Sequence, residues 1–524
     1  MSGEDRTGAS QPDVDGAPDL AAAAAEGPPP ELGDALLDPA LQEDAPSSEQ
    51  DMAKAILRAT VPARPRRAPR RRRRRAWRWL LGAGAAAAAG VALLWWAVHR
   101  FDWAGPLVAD ALRAVLGVDA VARLEEAAYG LEDRVHRLTR GGSAPKARWD
   151  VPAPATPAAA PSTSASGAPA PGALPPFRPR DVGPVHRSWS APGDGEWVAL
   201  EDPRRPGEAP YLYKTLLHPD RNRSWAEVFV VAVDLRRTAL HLMPGYQEPL
   251  SETPEAKERL LHRSPARPAV IPPAEHDALL GAFNGGFKTE HGHYGMRVDG
   301  ITLSPPRGRA CGIALFPGER LVIADWDGLA PRAEEVLWYR QAPRCMVERG
   351  ALHPLLSDPG ATWWGATLDK ETVIRRSAIG VSARGDVLYV SITNATTAQT
   401  LALGMRHAGA DAVAQLDVNW SYPKFFTFAL KAPGGPLIAV PLTKDFDYSE
   451  DELLRERAMR DFFYLTRRDA AAARAWTERH EAALLAEAAA SASPAPSGAP
   501  ALPSASASAP TAGAPAPPSA TAPR

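Results

Sequence analysis

Trp225–Asp234 reads WAEVFVVAVD. Its β-branched and aromatic residues form a short apolar run, the signature of a strand. Working outward, Thr238–Met243 (TALHLM) follows after a short turn and is expected to be its hairpin partner. Leu279–Phe283 reads as a short apolar strand ending at Asn284. Gly312–Phe316 and Arg320–Asp325 flank Pro317-Gly318, a turn signal between two strands. Val387–Thr393 is a further strand. Thr397–His407 has helical character, with Thr396 or Thr397 as its cap and Gly409 just past its end. Ala412–Leu416 is then a buried strand. Strands outnumber helices and mix with them, so the expected class is α+β, a mixed-sheet domain with flanking helices over residues 186–448. Ser449 and Glu452 form a capping-box pattern ahead of Leu453 and Leu454. The segment 449–490 is therefore expected to be helical, with Phe462–Leu465 docking its first half on the domain.

The rest of the 524 residues does not read as globular. Residues 1–63 begin as an acidic tail, with Glu4, Asp5, Asp13, Asp15 and Asp19 among the carboxylates. Residues 141–185 are a Pro/Ala/Ser-rich spacer, and 491–524 repeat that composition as a tail. Such segments bury too little apolar surface to offset the chain entropy lost on ordering.

The net charge of -1 hides a block of nine arginines in residues 64–75. It precedes the apolar stretch 76–98, which tryptophans mark at both ends (Trp77 and Trp79, then Trp95 and Trp96). About 20 apolar residues span a bilayer as a helix. Arginines beside such a span stay cytoplasmic, and tryptophans favour its interfaces. The basic region is too long for a cleaved signal peptide. The expected topology is a single pass through the inner (cytoplasmic) membrane, with a cytoplasmic N-terminus and a periplasmic or extracellular C-terminal domain. This reading of the arginines displaces nucleic-acid binding.

Residues 101–140 are expected as an amphipathic helix. Val121, Leu124, Ala128, Leu131, Val135 and Leu138 recur at heptad spacing. Three fates stay open for this stripe: packing on the domain, pairing with a second copy through 121–138, or lying on the membrane. Cys311 and Cys345 have no CxxC spacing, so no zinc site is expected. An exported domain permits a disulfide between them, but sequence does not give the separation a bridge requires. No cofactor is expected.

Three stretches carry candidate chemistry. Phe283-Asn284-Gly285-Gly286-Phe287 ends a strand in a double glycine, which allows positive φ and a backbone nest for an anion. Leu416-Asp417-Val418-Asn419-Trp420-Ser421 places a carboxylate at the end of a buried strand, either as a turn cap or as a site group. Arg375-Arg376-Ser377-Ala378-Ile379-Gly380 offers a guanidinium suited to a phosphate.

In this order the stretches resemble the phosphodiester glycosidase domain family, of the N-acetylglucosamine-1-phosphodiester uncovering-enzyme type. Asn284–Phe287 is similar to its NGGFF-like motif, Gly295–Gly300 (GMRVDG) to its G-x-V-x-D-G element, Arg376–Gly380 to R-x-A-I-G, and Leu416–Ser421 to LDGGGS. The resemblance spans roughly residues 210–440. Lys288 stands where the family has a second Phe, and Val418, Asn419 and Trp420 replace glycines.

The resemblance implies hydrolysis of a sugar-1-phosphate diester in an envelope or extracellular glycoconjugate. Asp417, Asp299 and Arg376 would be catalytic. Asn284, Gly285, Gly286, Lys288, Asn419 and Ser421 would bind the substrate. Glycosyl transfer to water passes through an oxocarbenium-like state served by carboxylates, while cations and N–H donors hold the departing phosphate. His291 and His293 fit a solvated loop better than an acid–base pair, and Asp417 with Asn419 is a weak cation signal. The competing reading is an inactive glycan-binding or scaffold protein, with Trp363, Trp364 and Trp420 as a stacking platform. No Walker, GxSxG or HExxH motif occurs.

Overall fold

The computed structural model describes residues 130–151 (except 132), 174–261, 267–358, 363–364, 373–418, 422–446 and 448–492. It also describes 82–84, 86, 89–90 and 93. Three antiparallel sheets build the domain. The first runs in the order β1 (Val198–Leu200), β2 (Leu212–Leu217), β3 (Glu227–Asp234), β14 (Val387–Asn394), β13 (Arg376–Val381), β15 (Ala412–Val418), β11 (Val347–Glu348) and β12 (Ala351–Leu352). The second is β7 (Ile301–Ser304), β6 (Met296–Val298), β10 (Trp338–Ala342), β8 (Cys311–Phe316) and β9 (Arg320–Asp325). The third is β17 (Leu437–Pro441), β16 (Phe425–Leu430), β5 (Leu279–Asn284), β18 (Phe462–Arg467) and β4 (Thr238–Met243).

The unbroken apolar run of β3 has a physical reason: both of its faces are covered. Side chains alternate along a strand. Phe229, Val231 and Val233 enter a core shared with Phe283 of the third sheet and Ile313 of the second. Val228, Val230 and Ala232 face the opposite way and pack with Leu401 and Met405. Those two residues belong to helix α2 (Ala398–Ala408), which follows α1 (Pro254–Leu261) in the chain. Thr397 caps α2 by accepting from Thr400 N at 3.1 Å, and Gly409 ends it at a φ of 116°. Cap and stop both match the sequence reading. Three antiparallel sheets with few helices make the class α+β, without the mixed sheet expected from sequence.

Cys311 and Cys345 form a disulfide, with Cα atoms 4.7 Å apart. Both are buried, so the bridge ties β8 to the segment after β10 inside the core.

Two local expectations are corrected. Thr238–Met243 does not pair with Trp225–Asp234, because β2 and β14 occupy both edges of β3. The turn between them forms, with Thr238 Oγ1 donating to Asp234 O at 2.8 Å, but β4 crosses to the third sheet and pairs with β18. The segment 449–490 is not continuously helical. Ser449 N does reach Glu452 Oε2 at 3.2 Å, but only a turn follows. Phe462–Arg467 is a strand between β5 and β4, and only α3 (Ala470–Ala492) is helical.

The apolar stretch 76–98 lies mostly outside the described residues. Those described within it are helical. Among the described residues no helix is long and apolar enough to cross a membrane. Of the expected amphipathic helix, residues 130, 131 and 133–140 are described; they are helical and contact the domain. Arg223 Nε lies 2.8 Å from Asp133 Oδ1, and His136 meets the Trp225 ring edge-on at 5.8 Å. Leu131, Val135 and Leu138 of the heptad stripe are exposed.

Candidate functional site

The ends of β5 and β15 meet. Asp417 N donates to Gly285 O at 3.0 Å. Asn284 holds the junction: its Nδ2 donates to Ser377 Oγ at 2.8 Å, and its Oδ1 accepts from Lys424 N at 3.0 Å. Ser377 Oγ then donates to Asp417 O at 2.7 Å. One amide and one hydroxyl thus join β5, β13, β15 and the entry to β16, spanning two sheets.

A pocket of about 100 Å³ opens here. Asn284, Gly285, Gly286 and Asp417 line it, with Tyr422, Lys424, Glu452, Arg460 and Asp461. Two motifs distant in the chain therefore converge. The double glycine is required by close approach, since neither residue has a positive φ. A Cβ on Gly285 would lie 2.2 Å from Asp461 Oδ2, and one on Gly286 would lie 2.7 Å from the Arg340 guanidinium.

The expected anion nest does not form: neither glycine has a positive φ, and the two amides are taken by Asp461 of the chain itself, one by its carbonyl and one by its carboxylate. Gly285 N donates to Asp461 O and Gly286 N to Asp461 Oδ2, each at 2.9 Å. Arg340 completes the clamp: its Nε is 3.0 Å from Asp461 Oδ2, and its Nη1 donates to Tyr294 O at 2.7 Å. The glycine amides therefore position Asp461 rather than face a ligand.

Asp417 is 3% exposed. Its Oδ1 accepts from Val418 N at 2.8 Å, and its Oδ2 pairs with Arg460 Nη1. The Arg460 guanidinium lies 3.5 Å over the Tyr422 ring centroid, a cation–π contact. Lys424 Nζ is 2.5 Å from Glu452 Oε1. Around the pocket each of three carboxylates therefore has its own cation. Such a wall can hold a polar group through charge-assisted bonds.

The structure does not bring every expected residue to this pocket. Arg376 is buried at the opening of β13 and does not line it. Its Nη1 donates to Trp364 O at 2.6 Å and to Gln415 Oε1 at 2.9 Å. Burial pushes its pKa down to about 9. Arg376 therefore anchors the segment around Trp364 instead of presenting a charge to a substrate. Asp299 is exposed and takes a φ of 52° beside Gly300 at 70°, so it forms the two-residue turn between β6 and β7. Both of its φ values are what such a hairpin demands. Lys288 lies outside the lining, 3.6 Å from Glu290. His293 is bonded to Glu252 at 2.8 Å on the surface. Asn419, Trp420 and Ser421 lie outside the described residues. Among the described residues no cluster of His, Cys, Asp and Glu could hold a metal ion.

Sequence does not single out Arg340, Lys424, Arg460 or Asp461, and it marks Glu452 only as a capping residue. One signal was available: Arg460-Asp461 directly precedes the apolar run FFYL. A charged pair at the mouth of a buried strand is costly unless it is paired.

No family model matches the sequence, and no curated protein matches it. Among solved structures, the chain is similar to the catalytic domain of zebrafish N-acetylglucosamine-1-phosphodiester alpha-N-acetylglucosaminidase, auto-inhibited by its pro-peptide. That likeness has 14% identity, 52% coverage of this chain, 88% of that one and a TM-score of 0.32. It is also similar to a hypothetical protein from Synechocystis, at 12% identity, 50% coverage of this chain, 64% of that one and a TM-score of 0.26. These likenesses are partial resemblances of fold, and neither bears on the chemistry.

Proposed function

We propose that the chain is a membrane-anchored extracytoplasmic hydrolase that cleaves a sugar-1-phosphate diester of an envelope or extracellular glycan. The observation that carries this reading is the convergence of Asn284, Gly285, Gly286 and Asp417 on one pocket walled by Arg460 and Lys424. In the proposed reaction Asp417 acts at the anomeric carbon, either directly or by activating water. Arg460 and Lys424 exchange their internal carboxylates for the departing phosphate. A phosphate leaves with little protonation, so counter-charge matters more than a general acid.

The anchor rests on the arginines of 64–75 and the apolar stretch 76–98. The Cys311–Cys345 bridge supports an oxidising compartment. The exposed Leu131, Val135 and Leu138 support pairing with a second copy.

The test is release of free sugar from an N-acetylglucosamine 1-phosphate methyl diester. Asp417→Asn should lower turnover by at least ~10²-fold in protein that circular dichroism shows to be folded. Equal turnover in wild type and variant sinks the role of Asp417. A second reading, binding without hydrolysis, is favoured by one observation: the Asp417 and Asp461 carboxylates already occupy the Arg460 guanidinium and the Gly286 amide. Under that reading the diester binds, and no sugar is released by either protein.

A further inference from the structure

A second cleft, of about 360 Å³, opens where helix 130–140 lies against the domain. It shares no lining residue with the Asn284–Asp417 pocket. His136, Arg140, Trp225 and Asn394 line it, with Arg148 and Asp445. Trp225 is 7% exposed, yet its indole Nε1 donor has no hydrogen-bond partner. Leaving such a donor unsatisfied is unfavourable. The Trp225 side chain forms part of the cleft wall.

The remaining groups say what ligand the cleft suits. No hydrogen bond or ion pair among the described residues engages the Asn394 amide, the His136 ring nitrogens or the Arg140 guanidinium. His136 and Arg140 are one helical turn apart, so both sit on the same side of the helix. The charges around them are already compensated. Asp133 is paired with Arg137 and Arg223, Arg148 with Glu227 and Asp445, and Arg375 Nη2 donates to Asp445 O at 2.6 Å. Arg140 is left over as a positive charge. An indole N–H donates, and an amide and an imidazole both donate and accept, as sugar hydroxyls do. The surplus guanidinium adds a place for one acidic group.

We propose that this cleft binds a saccharide carrying one acidic group, either a carboxylate or a phosphate. The site does not depend on hydrolysis at Asp417. Its walls come from helix 130–140 together with the strand ends of the first sheet, so it forms only when the helix is docked on the domain.

The test follows the Trp225 indole proton in ¹H–¹⁵N spectra of the full-length chain, with the peak assigned by its absence in Trp225→Phe. Glucuronic acid, glucose 1-phosphate, glucose and inorganic phosphate are titrated in turn. One or both acidic sugars should shift the peak saturably, with a Kd about tenfold below that of glucose. Which of the two binds tells carboxylate from phosphate. Arg140→Gln should abolish the preference for the acidic sugars. Trp225→Phe, or Asn394→Ala where Trp225→Phe does not fold, should weaken binding about tenfold as read by calorimetry. The proposal is overturned if no acidic sugar gives a saturable shift. It is equally overturned if inorganic phosphate binds as tightly as the sugars, or if the variants bind like wild type.

Discussion

The Arg340 guanidinium lies against the Asp461 carboxylate with Nε 3.0 Å from Oδ2, and neither side chain reaches solvent. The pair joins β10 to the residue just before β18, and it fills the turn made by Gly285 and Gly286. Removing one partner strands the other as an uncompensated buried charge. Asp461→Ala should therefore cost about 3–5 kcal/mol. Urea denaturation measures it, and a loss below about 1 kcal/mol would contradict the clamp.

The same turn makes a steric prediction. Gly285→Ala puts a methyl 2.2 Å from Asp461 Oδ2, so the carboxylate must move. Overpacking of this kind costs about 1–3 kcal/mol. Gly328→Ala meets nothing within 4 Å, has no positive φ and lies in a short helical turn. It should be neutral or slightly stabilising. Equal melting temperatures for the two variants would disprove the tight contact.

The disulfide encloses a sequence separation of 34 residues. Loop-closure entropy gives about 4 kcal/mol for a loop of this size. Cys311→Ala with Cys345→Ala should lower the melting temperature by several degrees, and dithiothreitol should act on wild type alone. A reductant-insensitive wild type refutes the bridge.

His241 supplies a pH dependence. It stacks on Tyr464 at 4.6 Å and bonds Thr466 Oγ1 at 2.8 Å. Burial, the largest cause, holds its pKa below 6.5; Arg468 adds to this and Glu275 opposes it. The unfolded chain therefore binds more protons in this range, so stability is lost as pH falls below about 6.5. Chemical denaturation at pH 7.5 and 5.5 should show the loss, and His241→Gln should reduce it. A variant with an undiminished slope assigns the effect elsewhere.

Arg460 offers a test of charge in the pocket. If it holds the phosphate in the proposed reaction, Arg460→Gln should raise KM on the order of 10- to 100-fold, the worth of a bond to a charged group. Steady-state kinetics with the diester decides it, and an unchanged KM removes Arg460 from substrate binding.

Much of the secondary structure is legible in the chain itself, because local chemistry decides it. β-Branched and aromatic residues make Glu227–Asp234 and Val387–Asn394 strands. Thr397 and Gly409 bound α2, and Pro317-Gly318 turns β8 into β9. What local sequence leaves undecided is which edges remain open. Thr238–Met243 was a reasonable neighbour for β3 until β2 and β14 took both edges. Phe462–Arg467 is apolar enough for helix or strand, and a short apolar run does not distinguish them. The slot between β5 and β4 makes it a strand.

The candidate site divides in the same way. Asn284, Gly285, Gly286 and Asp417 stand out in sequence because glycine pairs and strand-end carboxylates are locally unusual. The cations and carboxylates that surround them do not. Arg340 meets Asp461 across 121 residues of chain, and only packing brings them together. An isolated charge gives no local sign of whether water or a buried counter-charge will neutralise it, because that choice is made by the desolvation that accompanies folding.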